Sequence, residues 1–257
     1  MAAQTDYIAV FDSGLGGISV LRHLRRLMPG ERYLYFGDSA NAPYGSRSTA
    51  EVQELTMAAA ERLLAQKPLK ALVLACNTAT AAAVKDLRAK YKDLIVIGIE
   101  PALKVAADHF PGGKIGVMAT EVTLREEKFD TLLHRFRENC SVVKIPMPGL
   151  VELVEAGKTE CEEMDALLRK LLTAHIGRLD AVVLGCTHYP LAAQAISRVL
   201  GDDVVLLDGG EGTARETRRR LAAADLLENG PGELIIENSR NDPGMIARAF
   251  DLLEQER

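Results

Sequence analysis

Two cysteines in this chain occupy the same local context. Cys76 follows the apolar run 71–74, Cys186 follows the apolar run 181–184, and a polar residue comes directly after each. A free thiol has a pKa of about 8.5, which a helix N-terminus or polar neighbours can lower toward neutral pH. A thiol and a thiolate can donate and accept a proton, so both positions are candidates for general acid–base chemistry.

The similarity extends beyond the cysteines and indicates a weak internal duplication. The predicted strand at 8–11 leads into Asp12-Ser13, and the predicted strand at 115–118 leads into Ala119-Thr120, at nearly the same sequence offset as the cysteine pair. Ser13 and Thr120 therefore correspond. Parallel α/β units bind ligands beyond the carboxyl ends of their strands, so each half is expected to present one cysteine at a ligand-binding edge.

Opposed acid and base groups suit racemisation, in which one face of a carbon loses a proton and the opposite face gains one. Two halves that face each other about a pseudo-twofold axis would hold Cys76 and Cys186 on opposite sides of a shared cleft. An isolated cysteine at a strand end is more often a small buried hydrophobe, but the paired context favours function here. Cys140 and Cys161 have no mirrored partner and are interpreted as structural.

Two further side chains are candidates for assisting the thiols. His188 comes two residues after Cys186 and could orient or protonate that thiol. Asp12 suits an ammonium group, because opposite charges attract in a partly dehydrated cleft, or it could assist Cys76. The other four histidines lie near no cysteine or carboxylate pair at metal-ligand spacing, so no metal site is predicted.

The glycine-rich segment 12–17 supports a rival hypothesis. It follows a strand and precedes a helix, where backbone amides can bind an anion, and Asp38 ends the next strand at the place of a ribose-binding acid. Against a dinucleotide site, Ser19 occupies the third glycine position and Asp12 would repel a pyrophosphate. Pro43-Tyr44-Gly45 is either an ordinary turn or a rigid loop that closes one side of a cleft.

The composition is that of an ordinary globular chain. Its 257 residues carry a net charge of −5, which gives no electrostatic footprint for nucleic acid, and the run 218–220 of three arginines is interpreted as a solvated helix face. We expect no membrane span and no signal peptide, hence a cytoplasmic protein with four free thiols.

Short β-rich runs alternate with longer helical segments, a pattern that predicts parallel sheets covered by helices. The helical segments include 49–65, 79–91 and 164–175. Eight strands are predicted, at 8–11, 33–36, 71–74, 94–97, 115–118, 142–145, 181–184 and 204–207.

With these residues in view, the chain resembles bacterial glutamate racemases of the aspartate/glutamate racemase superfamily. The resemblance rests on the sequences FDSGLGG at 11–17, PYG at 43–45, CNT at 76–78 and LGCTHYP at 184–190. It extends along nearly the whole chain, and the motifs are jointly very specific.

The resemblance implies an α/β fold with two similar parallel-sheet subdomains and the active site in the cleft between them. The first subdomain would contain residues 1–98 and 208–257, and the second residues 99–207. It also implies glutamate as substrate, no pyridoxal phosphate, no metal, a homodimer, and a role in supplying D-glutamate for peptidoglycan.

The resemblance further implies roles for individual residues. Cys76 would act on the D-enantiomer with the help of Asp12, and Cys186 on L-glutamate with the help of His188. Asp38 would lie close to the substrate. The residues implied to line the glutamate site are Ser13, Pro43, Tyr44, Gly45, Asn77, Thr78, Thr120 and Thr187.

Departures from the family pattern fall in the middle of the chain. Ala119 stands for a usual glycine, Glu126 for a serine and Phe129 for a tyrosine, while Met147-Pro148-Gly149 replaces an alanine-cysteine-proline sequence. Two alternatives stay open. One is a racemase of aspartate or another small amino acid, and the other is a nucleotide-binding oxidoreductase that uses the glycine loop.

Overall fold

The computed structural model describes residues 6–100, 102–120, 123–124, 133, 136 and 139–254. The chain folds into two compact units. Unit 1 contains the described residues up to 100 together with those from 210 onward, and unit 2 contains the described residues between 102 and 209.

Unit 1 is a five-stranded parallel sheet with helices between its strands. Its strands are β1 (Tyr7–Asp12), β2 (Arg32–Gly37), β3 (Leu69–Leu74), β4 (Ile95–Gly98) and β9 (Glu233–Asn238), in the order β4-β3-β1-β2-β9. Its helices are α1 (Ile18–Leu27), α2 (Thr49–Gln66), α3 (Asn77–Lys90), α8 (Gly210–Ala223) and α9 (Pro243–Glu254), with a 3₁₀ turn at Tyr44–Ser46.

Unit 2 is a four-stranded parallel sheet. Its strands are β5 (Lys114–Ala119), β6 (Ser141–Pro146), β7 (Ala181–Leu184) and β8 (Val205–Asp208), in the order β6-β5-β7-β8. Its described helices are α4 (Leu103–His109), α5 (Leu150–Glu155), α6 (Glu162–Leu172) and α7 (Ala193–Leu200), with 3₁₀ turns at Thr173–His175 and Tyr189–Ala192.

The two sheets repeat one topology. In unit 1 the strand order β4-β3-β1-β2 is the same as β8-β7-β5-β6 in unit 2, and β9 is added at the edge beside β2. β1 therefore corresponds to β5, and β3 corresponds to β7. This is the correspondence expected from the duplicated serine or threonine and the duplicated cysteine, so the internal repeat is present in the fold as well as in the sequence.

The central strands are apolar because helices cover both faces of a parallel sheet. All six residues of β1 are buried, as are all four of β7. α2 begins with a capping box in which Ser48 and Glu51 exchange hydrogen bonds, which fixes where the connection from β2 ends. Rigid central strands hold the residues that follow them in fixed positions.

The predicted class, two parallel-sheet α/β subdomains, is confirmed, and all eight predicted strands are present. The ninth strand, β9, was not among the predicted runs. A 3₁₀ turn and then α7 follow Cys186, whereas α3 begins directly after Cys76. Glu126 and Phe129 lie outside the described residues. Among the described helices, none has the length and apolarity needed to cross a membrane.

Candidate active site

Cys76 and Ser13 meet at the carboxyl end of the unit 1 sheet. Ser13 comes directly after β1, and Cys76 comes two residues after the neighbouring strand β3. The backbone N–H of Ala75 donates to the carbonyl oxygen of Phe11 over 2.8 Å, which holds the two segments side by side. The thiol Sγ of Cys76 then lies 3.7 Å from Ser13 Oγ, within reach of a weak hydrogen bond.

Cys76 also occupies the N-cap position of α3. The Cys76 side chain makes no capping hydrogen bond to this helix, whose first turn contains Asn77 and Thr78. The first N–H groups of a helix have no partner within it, and together they carry a partial positive charge. Reactive cysteines commonly occupy such helix N-termini.

Asp12, the last residue of β1, is completely buried beside this cysteine segment. Its Oδ2 accepts a hydrogen bond of 2.9 Å from the backbone N–H of Gly14. A Cβ added at Gly17 would lie 2.6 Å from Asp12 Cβ and 3.0 Å from Ala75 Cβ. Glycine at position 17 therefore lets the start of α1 approach both segments closely.

Asp38 and Tyr44 form a second polar group at the same edge of unit 1. The Tyr44 hydroxyl donates to Asp38 Oδ2 over 2.7 Å, and Nδ2 of Asn41 lies within 3.1 Å of both carboxylate oxygens. Pro43 is the N-cap of the 3₁₀ turn, which contains Gly45. Asp38 and Tyr44 are 4% and 1% exposed, so this network is largely shielded from water.

The pKa of Tyr44 reflects the negative charge around it. Burial raises the pKa of Tyr44 most, and the hydrogen bond and charge of Asp38 raise it further, as do the nearby Cys76 and Asp12. A cluster with two carboxylates and a potential thiolate attracts cations and repels phosphates. This edge of unit 1 suits the ammonium group of an amino acid.

The glycine loop does not have the features of a dinucleotide site. At the start of α1, the N–H groups of Ile18 and Ser19 donate to the carbonyl oxygens of Leu15 and Gly16 over 3.1 and 3.0 Å. These amides are used within the loop, whereas a pyrophosphate site needs them directed at the ligand. Asp38, the candidate ribose-binding acid, instead accepts hydrogen bonds from Tyr44 and Asn41.

In unit 2, Cys186 lies beyond the carboxyl end of β7. The N–H of Gly185 donates to the carbonyl oxygen of Met118 over 2.8 Å, so this segment lies against β5. Cys186 Sγ lies 3.6 Å from His188 Nδ1. The predicted Cys186–His188 pair is therefore formed, and His188 is only 4% exposed.

Glu155 completes this arrangement and was missed by the sequence analysis. Its Oε1 lies 2.6 Å from His188 Nε2, although the two residues are 33 positions apart in the sequence. It is the last residue of α5, after the stretch Leu150-Val-Glu-Leu-Val154. No local spacing links it to the cysteine. The only local signal was a carboxylate at the C-terminal end of a helix, where a basic side chain is the favoured choice.

The imidazole of His188 lies between the thiol of Cys186 and the carboxylate of Glu155. Burial alone lowers the pKa of His188, whereas hydrogen bonds to Cys186 and Glu155 raise it, and the balance is a pKa well above 6.5. The protonated imidazole is thereby favoured. The two thiols thus have different supports: a helix N-terminus for Cys76, and a histidine–glutamate pair for Cys186.

Two threonines of the expected site lie in unit 2. Thr120 directly follows β5, and its Oγ1 lies 3.0 Å from Thr123 Oγ1 and accepts from the Thr123 N–H. Thr187 is 5% exposed and lies between Cys186 and His188. Ala119 and Met147, two departures from the family pattern, are both buried and joined by a backbone hydrogen bond of 3.2 Å.

The remaining cysteines have no such surroundings. Cys140 is buried, which raises its pKa, and its Sγ lies 3.6 Å from the Phe136 carbonyl oxygen. Cys161 Sγ lies 3.7 Å from the carbonyl oxygen of Lys158. In the described part of the chain, no three histidine, cysteine or carboxylate side chains gather in a way that could hold a metal ion.

Each sheet has a thiol beyond its equivalent strand, within a repeated α/β topology, an arrangement that suits acid–base chemistry. Sequence comparison identifies the family. Residues 16–217 match the family model described as Asp/Glu/Hydantoin racemase. The chain belongs to this family of racemases.

Individual relatives are similar over nearly their full length. A curated glutamate racemase from Clostridium botulinum (strain Alaska E43 / Type E3) is 45% identical over 250 residues, which cover 96% of each chain. The crystal structure of a glutamate racemase isoform from Bacillus anthracis superposes with a TM-score of 0.85 at 32% identity, covering 98% of this chain and 95% of that one. The Escherichia coli glutamate racemase, solved with L-glutamate and the activator UDP-MurNAc-ala, has a TM-score of 0.85 at 32% identity, with 97% and 94% covered.

Proposed function

We propose that this protein interconverts L-glutamate and D-glutamate by a two-base mechanism in which Cys76 and Cys186 are the catalytic acid and base. The observation that carries the proposal is the repetition: each sheet has a thiol two residues beyond the equivalent strand, β3 or β7. The similarity to proteins named glutamate racemase supports the choice of substrate.

The charge distribution of unit 1 supports an amino acid as substrate. Asp12 and Asp38 are buried carboxylates that suit an α-ammonium group, and Ser13 Oγ lies beside the Cys76 thiol. The carboxylates of glutamate need hydrogen-bond donors. The N–H groups at the start of α3, around Asn77 and Thr78, and the hydroxyls of Thr120 and Thr187 are suitable donors.

In the proposed reaction, one thiolate removes the α-proton and the other thiol delivers a proton to the opposite face of the same carbon. Cys186 would be the base for L-glutamate and Cys76 the base for D-glutamate, with the roles exchanged in the reverse direction. Neither step oxidises or reduces the substrate. Each thiol leaves the reaction in the state in which its partner began, so the enzyme is ready for turnover in the reverse direction.

The two helper systems have distinct roles in the proposal. Asp12 would assist Cys76, which lies at the N-terminus of α3. His188 would assist Cys186, and Glu155 would hold the imidazole in place through the 2.6 Å contact with Nε2. A carboxylate that orients and charges a histidine is a recurrent arrangement in nucleophile and base activation.

The proposal also covers the setting of the enzyme. The reaction would need no pyridoxal phosphate and no metal, since two thiols supply both proton transfers. The protein would act in the cytoplasm as a homodimer and supply D-glutamate for peptidoglycan synthesis. Racemisation of aspartate or of another small amino acid is the alternative within the same family.

Circular dichroism of glutamate solutions tests the proposal. Purified protein, freed of metals and nucleotides and kept reduced, should bring the signals of both L-glutamate and D-glutamate to zero. Cys76→Ala and Cys186→Ala should each abolish this decay, whereas the matched control Cys161→Ala should retain it. Full activity in either of the first two variants would exclude the two-base mechanism. Decay with aspartate but not with glutamate would identify the alternative substrate.

A further inference from the structure

The loop that carries Asp38 and Tyr44 is held by the C-terminal part of unit 1. We call residues 38–46 the Asp38 loop and residues 238–242 the C-terminal turn. β9, which precedes the turn, pairs in parallel with β2, which precedes the loop. The N–H of Ser239 donates to the carbonyl oxygen of Gly37 over 3.0 Å and carries the pairing one step beyond the strands.

Two side chains of the C-terminal turn form hydrogen bonds with the backbone of the Asp38 loop. Ser239 Oγ accepts a hydrogen bond of 2.8 Å from the N–H of Ala40. Arg240 Nε donates a hydrogen bond of 3.1 Å to the carbonyl oxygen of Ser39. Consecutive residues of the turn thus hold consecutive residues of the loop, directly beside Asp38.

The C-terminal turn is itself fixed by a buried side chain. Asn238 is 4% exposed, and its Oδ1 accepts from the N–H groups of Arg240 and Asp242 over 3.0 and 3.1 Å. Its Nδ2 donates to the carbonyl oxygen of Asp242 over 3.0 Å. A buried amide with these partners resists rearrangement, so the turn offers a rigid support.

Within the Asp38 loop, the position of the backbone determines the position of the polar groups. The N–H of Asn41 donates to the carbonyl oxygen of Asp38 over 3.0 Å, and the Asn41 amide reaches the Asp38 carboxylate. Arg47 Nε donates to the carbonyl oxygen of Asn41 over 2.7 Å. Because Tyr44 also donates to Asp38, displacement of Ser39 and Ala40 would displace the whole network.

We propose that Ser239 and Arg240 are positioning residues for substrate binding, acting through the Asp38 loop. This inference rests on the proposed function, in which the loop lines the glutamate site. Neither residue needs to touch substrate. Without their two hydrogen bonds the loop samples other arrangements, and apparent affinity falls in proportion to the population of the competent one.

Steady-state kinetics of Ser239→Ala and Arg240→Ala test the inference. One hydrogen bond of this kind corresponds to a change of about threefold to tenfold in an equilibrium constant. We therefore expect each variant to raise KM for both glutamate enantiomers by about that factor, with kcat within about twofold of wild type. Ser239→Thr, which keeps the hydroxyl, should retain the wild-type KM.

The matched control is Arg22→Ala. Arg22 Nε also donates to a backbone carbonyl, that of Leu252 over 3.0 Å, and this hydrogen bond joins α1 to α9. Its loss should leave KM unchanged. A fall in kcat at constant KM in the Ser239 and Arg240 variants would indicate only a smaller folded fraction and would overturn the inference, as would wild-type kinetics in both.

Hydrogen exchange separates this inference from the proposed function. The backbone N–H of Asn41 donates to the carbonyl oxygen of Asp38. Measured without substrate, this hydrogen should exchange faster in Ser239→Ala and Arg240→Ala than in wild type. Unchanged exchange would overturn the positioning role even in an active enzyme. A wild-type protein that leaves glutamate unchanged, with faster exchange in the variants, would refute the function and keep the loop restraint.

Discussion

His188 Nε2 lies 2.6 Å from Glu155 Oε1, while Nδ1 of the same ring lies 3.6 Å from the sulfur of Cys186. One imidazole therefore joins a thiol and a carboxylate that are far apart in sequence. Cys76 lies at the N-terminus of α3. The thiols of Cys76 and Cys186 occupy equivalent positions in the repeated fold but have different neighbouring groups. The effect of that difference can be measured.

Glu155→Gln should move the alkaline limb of the kcat/KM profile to lower pH. Burial lowers the pKa of His188, while Cys186 and Glu155 raise it to well above 6.5. Removing the Glu155 charge removes part of this increase, so the imidazolium is lost at a lower pH. Rates measured across the neutral and alkaline range should show the shift, and Glu163→Gln, which removes an exposed carboxylate paired with Lys158, should not.

Glu155→Gln should also differ from wild type in how its stability depends on pH. The folded-state pKa of His188 lies above that of the unfolded chain, so its stabilisation is complete below about pH 6.5 and lost as pH rises through the folded-state pKa. The gap in free energy of unfolding between wild type and Glu155→Gln should shrink from neutral to alkaline pH. A gap that widens with pH would contradict the charged pair.

Tyr44→Phe should raise KM and also destabilise unit 1. The phenol donates to the buried Asp38 carboxylate over 2.7 Å, and losing a hydrogen bond to a charged group costs about 1.5–3 kcal/mol. Denaturant unfolding and kinetics on both enantiomers measure the two effects.

Tyr33→Phe is the control for that variant. The Tyr33 hydroxyl is also buried and lies 3.0 and 2.9 Å from the carbonyl oxygens of Leu24 and Met28, at the C-terminal end of α1. Tyr33→Phe should lower the free energy of unfolding by about 1 kcal/mol without changing KM. Equal KM values in both tyrosine variants would mean that Tyr44 has no part in binding.

The sequence predicted the elements that repeat and the residues that follow them. Alternating apolar runs identified eight strands, and the similarity between the segments around Cys76 and Cys186 predicted equivalent strands, which the two sheet orders contain. Cys186 and His188 were linked because they are two positions apart. Local pattern and spacing are sufficient for such features.

Features that depend on distant segments were not predictable in this way. Glu155 reaches His188 across 33 positions, and β9 is a short edge strand, only partly buried, that pairs with a strand about 200 residues earlier. Ser239 and Arg240 matter only because of that pairing. Nothing in their own sequence neighbourhood indicates a contact with the Asp38 loop.

Replacing the cysteines with serine should separate the two faces of the reaction. A general acid or base contributes about 10²–10⁴ to rate, so racemisation should fall by at least 10²-fold in Cys76→Ser and in Cys186→Ser. In D₂O, Cys186→Ser should still exchange the α-proton of D-glutamate, and Cys76→Ser that of L-glutamate, as followed by NMR. Exchange of both enantiomers by one variant would show a single thiol acting on both faces.

Gly17→Ala should inactivate the enzyme, whereas Gly212→Ala should not. The new Cβ at position 17 would lie 2.6 Å from Asp12 Cβ, so Asp12 or the start of α1 must move. At Gly212, within α8, nothing lies within 4 Å of the added Cβ, and alanine is favoured over glycine in a helix by about 1 kcal/mol. The thermal unfolding temperature should therefore fall in Gly17→Ala and rise in Gly212→Ala, whereas the racemisation rate should fall only in Gly17→Ala.

Lys70→Met should destabilise the fold without altering the kinetics of the folded enzyme. Lys70 Nζ lies 2.6 Å from Glu31 Oε2 and 3.0 Å from Glu228 Oε1, and it donates to the carbonyl oxygen of Leu226 over 2.9 Å. The contact with Glu31 Oε2 has the distance of an ion pair but not the angles of a hydrogen bond. Removing one partner of a buried pair costs about 3–5 kcal/mol, because the remaining charge stays buried.

This ion cluster lies at the amino end of the unit 1 sheet, since Lys70 is the second residue of β3 and Glu31 directly precedes β2. At the opposite, carboxyl end, Asp12 is the last residue of β1, and Cys76 and Asp38 follow β3 and β2. Denaturant unfolding should show the loss, with KM and kcat per folded molecule unchanged. Lys90→Met, which breaks an exposed pair with Glu61, should change neither property. A changed KM in Lys70→Met would mean that strain at the amino end of the sheet reaches the site.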